Sequence, residues 1–197
     1  MGFAFWLMPI SSSRAAAPDT AAIDTIKSFY DTLLSVMQQA KALGLKGRYE
    51  KLNPAIRKAF NLPLMTQLSV GPEWQKLSPE QQKGLIAAFS DFSVSTYAAR
   101  FDGYSGQHFD VNPNPTPSAG SVIVDTKLVK TSGEPVKLNY LMRNGGAGWQ
   151  ILDVYLDGTV SELAARRSEF SSVLRRDGAE GLVRLIQSRA DDLKKSP

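Results

Sequence analysis

The sequence predicts an α+β fold, in which a curled antiparallel sheet of about four strands packs against several helices. Apolar residues recur every three or four positions in the segments before and after the middle of the chain, which is typical of helices with one buried face. Between these segments, apolar and polar residues alternate in stretches separated by turn residues, which indicates strands. Such a layout leaves a conical space between sheet and helices, and either side chains or a ligand can fill it.

The first helix is predicted from Asp19 to about Leu43, and Gly44 is expected to end it. A second, short helical piece should follow. It should be broken where Asn53 can cap a fresh turn that begins with Pro54. These segments therefore predict helices ahead of the sheet.

The clearest helix signal is the segment Ser78-Pro79-Glu80-Gln81. A serine at the N-cap, a proline at the first helical position and a glutamine at the third form a capping box. The long helix that starts here should end at the glycines Gly103 and Gly106. Two more helices are predicted at the end of the chain, one from about Ser161 to Asp177-Gly178 and one beyond it.

The predicted sheet occupies the middle of the chain. Residues 108–111 form a short strand candidate, and the three prolines in residues 112–117 indicate a loop. Residues 121–129, 135–143 and 149–157 are predicted strands joined by glycine-containing turns. Because residues 135–143 alternate between apolar and mostly polar side chains, the sheet should have one apolar face.

Residues 1–17 are predicted to be a signal-peptide remnant, and residues 18–197 a single domain. A short apolar run is followed by small residues that permit cleavage after Ala15 or Ala17, although the usual preceding positive charges are missing. We therefore expect an exported protein. The alternative is an N-terminal segment that packs on the core or is disordered.

Positive charge is concentrated in one segment of this chain, whose formal net charge is +4. Between Lys41 and Lys58 there are six basic residues and one acidic residue. The segment contains one aromatic residue and no recognised nucleic-acid-binding module, so nucleic acid is not an expected partner. A solvated helix face and a surface that binds anionic lipid or a partner protein are the alternatives. The candidate surface residues are Lys46, Arg48, Lys51, Arg57 and Lys58.

Side chains suited to catalysis are few. The chain has no cysteine and one histidine, His108, so neither a metal site nor a Ser-His-Asp arrangement is well supported. Asp153 lies in an otherwise apolar strand. It could accept hydrogen bonds from the backbone or an arginine, or act as a general base of the ketosteroid-isomerase kind. We expect no enzyme, no metal and no cofactor. An isomerase or dehydratase that uses Asp153, with or without His108, is the alternative.

Several segments carry a resemblance that covers nearly all of the predicted domain. They are residues 74–81 (WQKLSPEQ), 89–104 (FSDFSVSTYAARFDGY), 149–158 (WQILDVYLDG), 167–170 (RSEF) and 174–186 (LRRDGAEGLVRLI). These segments resemble the toluene-tolerance family, the periplasmic lipid-binding components of the maintenance-of-lipid-asymmetry (Mla) ABC transport system. Within that family, residues 153–163 and 167–170 are most similar to the hopanoid-biosynthesis-associated branch.

This resemblance implies an NTF2-like cone whose cavity takes acyl chains or a hopanoid and keeps the head group near solvent, without catalysis. It also implies a monomer that shuttles lipid across the periplasm, with an inner-membrane ABC transport complex and an outer-membrane lipoprotein complex as partners. The predicted lipid contacts are the large apolar residues expected to face the cavity: Phe29, Leu33, Leu85, Phe89, Phe92, Tyr97, Phe101, Leu138, Tyr140, Met142, Trp149, Ile151, Val154, Phe170, Val173, Leu174, Leu182 and Ile186.

Overall fold

The computed structural model describes residues 20–195 and confirms the mixture of helices and an antiparallel sheet. The helices are α1 (Thr20–Gln38), α2 (Ala40–Ala59), α3 (Leu62–Val70), α4 (Pro79–Arg100) and α5 (Glu162–Lys195), with a 3-10 helix at Gly71–Lys76. The strands are β1 (His108–Val111), β2 (Thr116–Ser118), β3 (Ser121–Val129), β4 (Val136–Asn144), β5 (Trp149–Leu156) and β6 (Val160–Ser161). The predicted signal-peptide remnant, residues 1–17, lies outside the described residues.

The sequence predicts one helix from Asp19 to about Leu43, but α1 ends at Gln38, and it is α2 that changes direction at Gly44. The φ of Gly44 is 57°, in the left-handed region that favours glycine. The predicted break at Pro54 is wrong, because α2 continues through it. A proline removes one helical hydrogen bond, and the fully buried side chains of Leu52 and Ile56 on either side hold the helix in the core.

Helix α4 begins with the predicted capping box. The Ser78 Oγ accepts a hydrogen bond from the Gln81 N–H at 3.2 Å, and the Gln81 Oε1 accepts one from the Ser78 N–H at 3.1 Å. The helix ends at Arg100, before the glycines that were expected to stop it. Phe101 leaves the helical conformation, and its ring stacks on that of Tyr97 at 5.6 Å between centroids.

Within residues 20–195 the sheet has six strands, more than the four or so expected. Its order is β1-β3-β4-β5-β6, all antiparallel, and β2 pairs with β3 on the edge that β1 also uses. Residues 112–117 were predicted to form only a loop, but Thr116 and Pro117 belong to β2. A proline is compatible with this position because an edge strand does not need its N–H.

The apolar face of the sheet is turned toward the helices. In β4, Leu138, Tyr140 and Met142 are buried, as the alternation predicts. Helix α5 begins after Ser161, whose Oγ accepts the Ala164 N–H at 2.9 Å, and bends at Gly178 (φ 69°), so both predicted signals are confirmed. No helix within residues 20–195 has an apolar stretch long enough to cross a membrane.

Candidate functional site

A cavity of about 230 Å³ lies between the apolar face of the sheet and helices α2 to α5. Its wall is formed by Ile56, Phe60, Met65, Phe89, Ser93, Thr96, Tyr97, Arg100, Phe101, Leu128, Val136, Leu138, Tyr140, Val154, Leu156, Glu162 and Arg166. Most of these side chains are aliphatic or aromatic. A concave, mostly apolar site with a few polar groups is the usual form of a small-molecule site.

The cavity opens at the end where several elements finish or begin. Arg100 is the last residue of α4, and Glu162 is the first residue of α5. Leu128 lies near the end of β3, Val136 begins β4, and Leu156 ends β5. Arg100 is exposed and the other four are half-buried, whereas the lining residues from α2 and α3 are buried. The opening, or mouth, is therefore at this end.

Charged groups of the wall are confined to the mouth. The Arg166 guanidinium carbon lies 4.5 Å from the centre of the Phe92 ring, and its Nη2 is 3.5 Å from the Glu162 Oε2. Burial lowers the pKa of Arg166, Glu162 opposes this effect, and the neighbouring charge of Arg100 adds to it. Among the described residues of the wall, two guanidinium groups and one carboxylate leave a net positive charge at the mouth, which suits an anionic group.

A chain of buried hydroxyl groups reaches the cavity wall at Tyr140. The Thr126 Oγ1 donates to the Leu138 carbonyl at 2.5 Å, and the Tyr30 Oη lies 2.6 Å from the Thr126 Oγ1 and 3.0 Å from the Tyr140 Oη. Burial raises the pKa of Tyr30 to about 12, and also raises those of Tyr97 and Tyr140. All three phenols are therefore neutral at physiological pH.

The predicted lipid contacts divide into two groups. Those that line the cavity are Phe89, Tyr97, Phe101, Leu138, Tyr140 and Val154. Those that lie in or against the surrounding core are Phe29, Leu33, Leu85, Phe92, Met142, Trp149, Ile151, Phe170, Val173, Leu174, Leu182 and Ile186. Helical spacing predicts the buried face of a helix, but it does not say which turn borders an opening. Contact of either group with a ligand stays a prediction.

Several lining residues were not among the predicted contacts, and Phe60 shows why. Phe60 leaves α2 in an extended conformation and forms a parallel bridge with Ile151 of β5, where the Asn61 N–H donates to the Ile151 carbonyl at 2.9 Å. Its apolar character is visible in the sequence. Its position depends on a contact between residues distant along the chain, which no local pattern reveals.

Asp153 does not line the cavity. Its buried carboxylate accepts hydrogen bonds from the Val154 N–H at 2.8 Å, the Leu163 N–H at 3.0 Å and the Ser161 hydroxyl at 2.5 Å. These contacts match the expected alternative of a carboxylate that accepts hydrogen bonds from the backbone. The carboxylate thus satisfies donors at the start of α5.

His108 is also away from the cavity. Its side chain is exposed on β1, and its Nε2 lies 3.6 Å from the Asp110 Oδ1. Among residues 20–195, no group of three or more His, Cys, Asp and Glu side chains is placed to hold a metal ion. The described residues therefore offer no clustered donor set to test as a metal centre.

Arg48 does not belong to the predicted basic surface. It is only 7% exposed, and it donates from Nε to the Ala98 carbonyl at 2.8 Å and from Nη1 to the Ala40 carbonyl at 3.3 Å. Ala98 lies in the last turn of α4, where carbonyl groups lack helical partners, and a guanidinium has donors to satisfy them. The exposed cations of this segment that were predicted as a surface are Lys46, Lys51, Arg57 and Lys58.

Comparison with known proteins gives one family and one fold. The family model of the MlaC protein matches residues 27–188, a range that contains every residue of the cavity wall. A solved structure of a phospholipid-binding protein from Ralstonia solanacearum, in complex with a phospholipid, superimposes with a TM-score of 0.76 at 24% identity. The superposition covers 88% of this chain and 99% of that one. No curated protein sequence matches this chain.

Proposed function

The chain belongs to the MlaC family, and from this premise we propose that it is a carrier that holds the hydrocarbon chains of a phospholipid in the cavity. The observation that carries the proposal is the distribution of polarity in the wall. The interior is mostly aliphatic and aromatic, and the charged side chains lie at the mouth. The structure from Ralstonia solanacearum, whose fold this chain shares, is that of a phospholipid-binding protein.

The charges at the mouth support a lipid with an anionic head group. Arg100 and Arg166 carry two positive charges beside the single carboxylate of Glu162. With its hydrocarbon inside the cavity, a phospholipid would bring its phosphate to this end. The guanidinium of Arg166 is already partly buried and lies over the Phe92 ring, so it would bind phosphate with little further loss of side-chain freedom.

The energetic basis of such a carrier is the burial of hydrocarbon. Apolar surface removed from water contributes about 25 cal/mol per Å². Hiding several hundred Å² of acyl chain would therefore offset most of the cost of taking a lipid out of a bilayer. The transfer would then be close to isoenergetic, and its direction would be set by the proteins that deliver and receive the lipid.

The size of the cavity limits what it holds in the described conformation. Its volume of about 230 Å³ is below the range of roughly 300–1,000 Å³ that is usual for small-molecule sites. A two-chain lipid would therefore have to extend through the mouth or widen the space between sheet and helices. We expect the lipid-bound protein to have a larger cavity.

The cellular setting is also part of the proposal. We propose that the protein works in the periplasm as a monomer, exported by a signal peptide in residues 1–17, and shuttles lipid between inner and outer membranes. An inner-membrane ABC transport complex and an outer-membrane lipoprotein complex would be its partners. The resemblance of its segments to the Mla components supports this setting. The exposed cations of α2 are the candidate steering surface: Lys46, Lys51, Arg57 and Lys58.

Two finer points belong to the same proposal. An NTF2-like cone is supported by a curled antiparallel sheet whose apolar face is covered by helices. A hopanoid is the second candidate ligand, supported by the resemblance of residues 153–163 to the hopanoid-associated branch. We propose no catalysis, because the carboxylate of Asp153 is engaged at the start of α5 and lies outside the cavity wall.

The proposal is tested by identifying what the protein carries. The full chain is produced for export, purified from the periplasm and examined by native mass spectrometry, and its lipids are then extracted and identified. We expect a bound mass that corresponds to one phospholipid. A hopanoid would support the branch assignment and the carrier role. A protein that emerges without lipid, and binds none from phospholipid vesicles, would contradict the proposal.

A further inference from the structure

The interior of the cavity contains hydroxyl groups that a site for plain hydrocarbon does not require. Tyr97 and Tyr140 both line the wall. Phenylalanine would fill nearly the same volume at either position without burying a hydroxyl, which costs free energy unless the group is hydrogen-bonded.

Other hydroxyls of the wall are already used within their own helix. The Ser93 Oγ donates to the Phe89 carbonyl at 2.8 Å, and the Thr96 Oγ1 donates to the Phe92 carbonyl at 2.8 Å. Their hydrogen atoms are therefore not directed at a ligand. Tyr140 differs because the partner of its hydroxyl is another hydroxyl group, that of Tyr30.

The hydroxyl groups of three residues form a chain that begins at the sheet and ends at the cavity wall. The Thr126 Oγ1 donates to the Leu138 carbonyl, and the Tyr30 Oη lies 2.6 Å from the Thr126 Oγ1 and 3.0 Å from the Tyr140 Oη. Tyr140 is the end of this chain at the cavity, and Tyr97, from α4, lines the same wall. A phenol has one hydrogen atom and two lone pairs, so the hydroxyl of Tyr140, with Tyr30 as its neighbour in the chain, has bonding capacity left.

We propose that Tyr97 and Tyr140 form a subsite for a hydroxyl group carried on the hydrocarbon part of the ligand. The inference rests on the proposed lipid-carrier function and names a class of lipid for the same cavity. A hydroxyl both donates and accepts, so it can join the chain whichever way its hydrogen atoms point. An unsubstituted chain would bind without that bond. The protein therefore prefers a hydroxylated chain.

The preference is measured on the delipidated full chain. Stearate and its 3-, 10- and 12-hydroxy derivatives are titrated by calorimetry, so that the hydroxyl is presented at several depths. We expect at least one hydroxystearate to bind about fivefold more tightly than stearate, as one added hydrogen bond allows. Tyr97→Phe should bring the ratio of the hydroxystearate affinity to the stearate affinity close to one. Tyr140→Phe should reduce the ratio as well.

Tyr49→Phe is the matched control. Its hydroxyl donates to the Asp91 carboxylate at 2.7 Å, and its side chain is not part of the cavity wall. This variant should keep the full preference. Equal affinities for all four fatty acids in the unaltered protein, or a preference that survives Tyr97→Phe, would overturn the subsite while leaving the carrier function intact. If neither stearate nor phospholipid binds, the carrier function fails and the subsite fails with it.

Discussion

The Asp153 carboxylate in β5 accepts a hydrogen bond from the Leu163 N–H, in the first turn of α5, at 3.0 Å. Their immediate neighbours Val154 and Glu162 belong to the cavity wall. One buried side chain thus fastens a strand of the sheet to the helix that closes the cavity. The sequence allows Asp153 to be interpreted as a general base, but in the structure its carboxylate connects β5 to the start of α5.

Asp153→Asn should therefore lower the free energy of unfolding by about 1–2 kcal/mol, because it removes a negative charge and one acceptor from a helix N-terminus. Urea denaturation measures the change. Asp157→Asn is the control, since this exposed residue has a φ of 51°, which asparagine tolerates, and it should change stability by less than about 0.5 kcal/mol. The enzyme alternative would be favoured if the unaltered protein had an isomerase or dehydratase activity that Asp153→Asn lost without any change in stability.

Arg166→Gln should weaken phospholipid binding about tenfold, since a charge-assisted hydrogen bond contributes roughly 1.5 kcal/mol or more. Binding of an uncharged diacylglycerol should change little. The comparison uses equilibrium transfer from vesicles, with Arg176→Gln as the control because Arg176 is exposed and paired with Asp177 outside the cavity wall. Equal losses for both lipids would show that Arg166 acts on the cavity and not on the head group.

Leu156→Trp should reduce lipid binding by filling the cavity near its mouth, where the side chain is half-buried and repacking is cheaper than in the core. Val160→Trp provides a close control, because Val160 pairs with Leu156 across β5 and β6 but is 55% exposed and not part of the wall. The measurement is the amount of lipid that co-purifies with each variant. Full lipid content in Leu156→Trp would place the ligand elsewhere.

The hydroxyl chain should make the protein sensitive to alkali. Burial raises the pKa of Tyr30 from 10.0 to about 12 in the folded protein. The unfolded chain therefore loses this proton first. The raised pKa of Tyr30 therefore contributes fully to the free energy of unfolding below pH 10. This contribution, about 2–3 kcal/mol, is lost as the pH rises toward 12. Urea denaturation between pH 10 and 12 should show that the free energy of unfolding falls less steeply with pH in Tyr30→Phe than in the unaltered protein. Equal slopes in the two proteins would contradict the assignment of this pH dependence to Tyr30.

The local elements could be predicted from the sequence where one short signal determines the backbone. The capping box at Ser78 and the glycine breaks at Gly44 and Gly178 are such signals, and all three are found in the structure. Pro54 shows the limit, because a local helix breaker was outweighed by buried neighbours that belong to the tertiary structure.

The candidate site was less predictable, since its wall combines residues from α2 to α5 with three strands. Charge alone also misplaced Arg48, because an exposed cation and one that donates to buried carbonyl groups look the same in a sequence. Both failures have one cause. The decisive contacts join residues that are far apart along the chain.

The central claim is that lipid hydrocarbon occupies the cavity between sheet and helices. A phospholipid with a diazirine near the end of one acyl chain tests it most directly, by photo-cross-linking to the full chain and peptide mass spectrometry. We predict labels on the deep wall, at Phe60, Phe89 and Tyr97. Labels concentrated instead in the outer groove between α1 and α2, beside Ser28 and Trp149, would contradict the account.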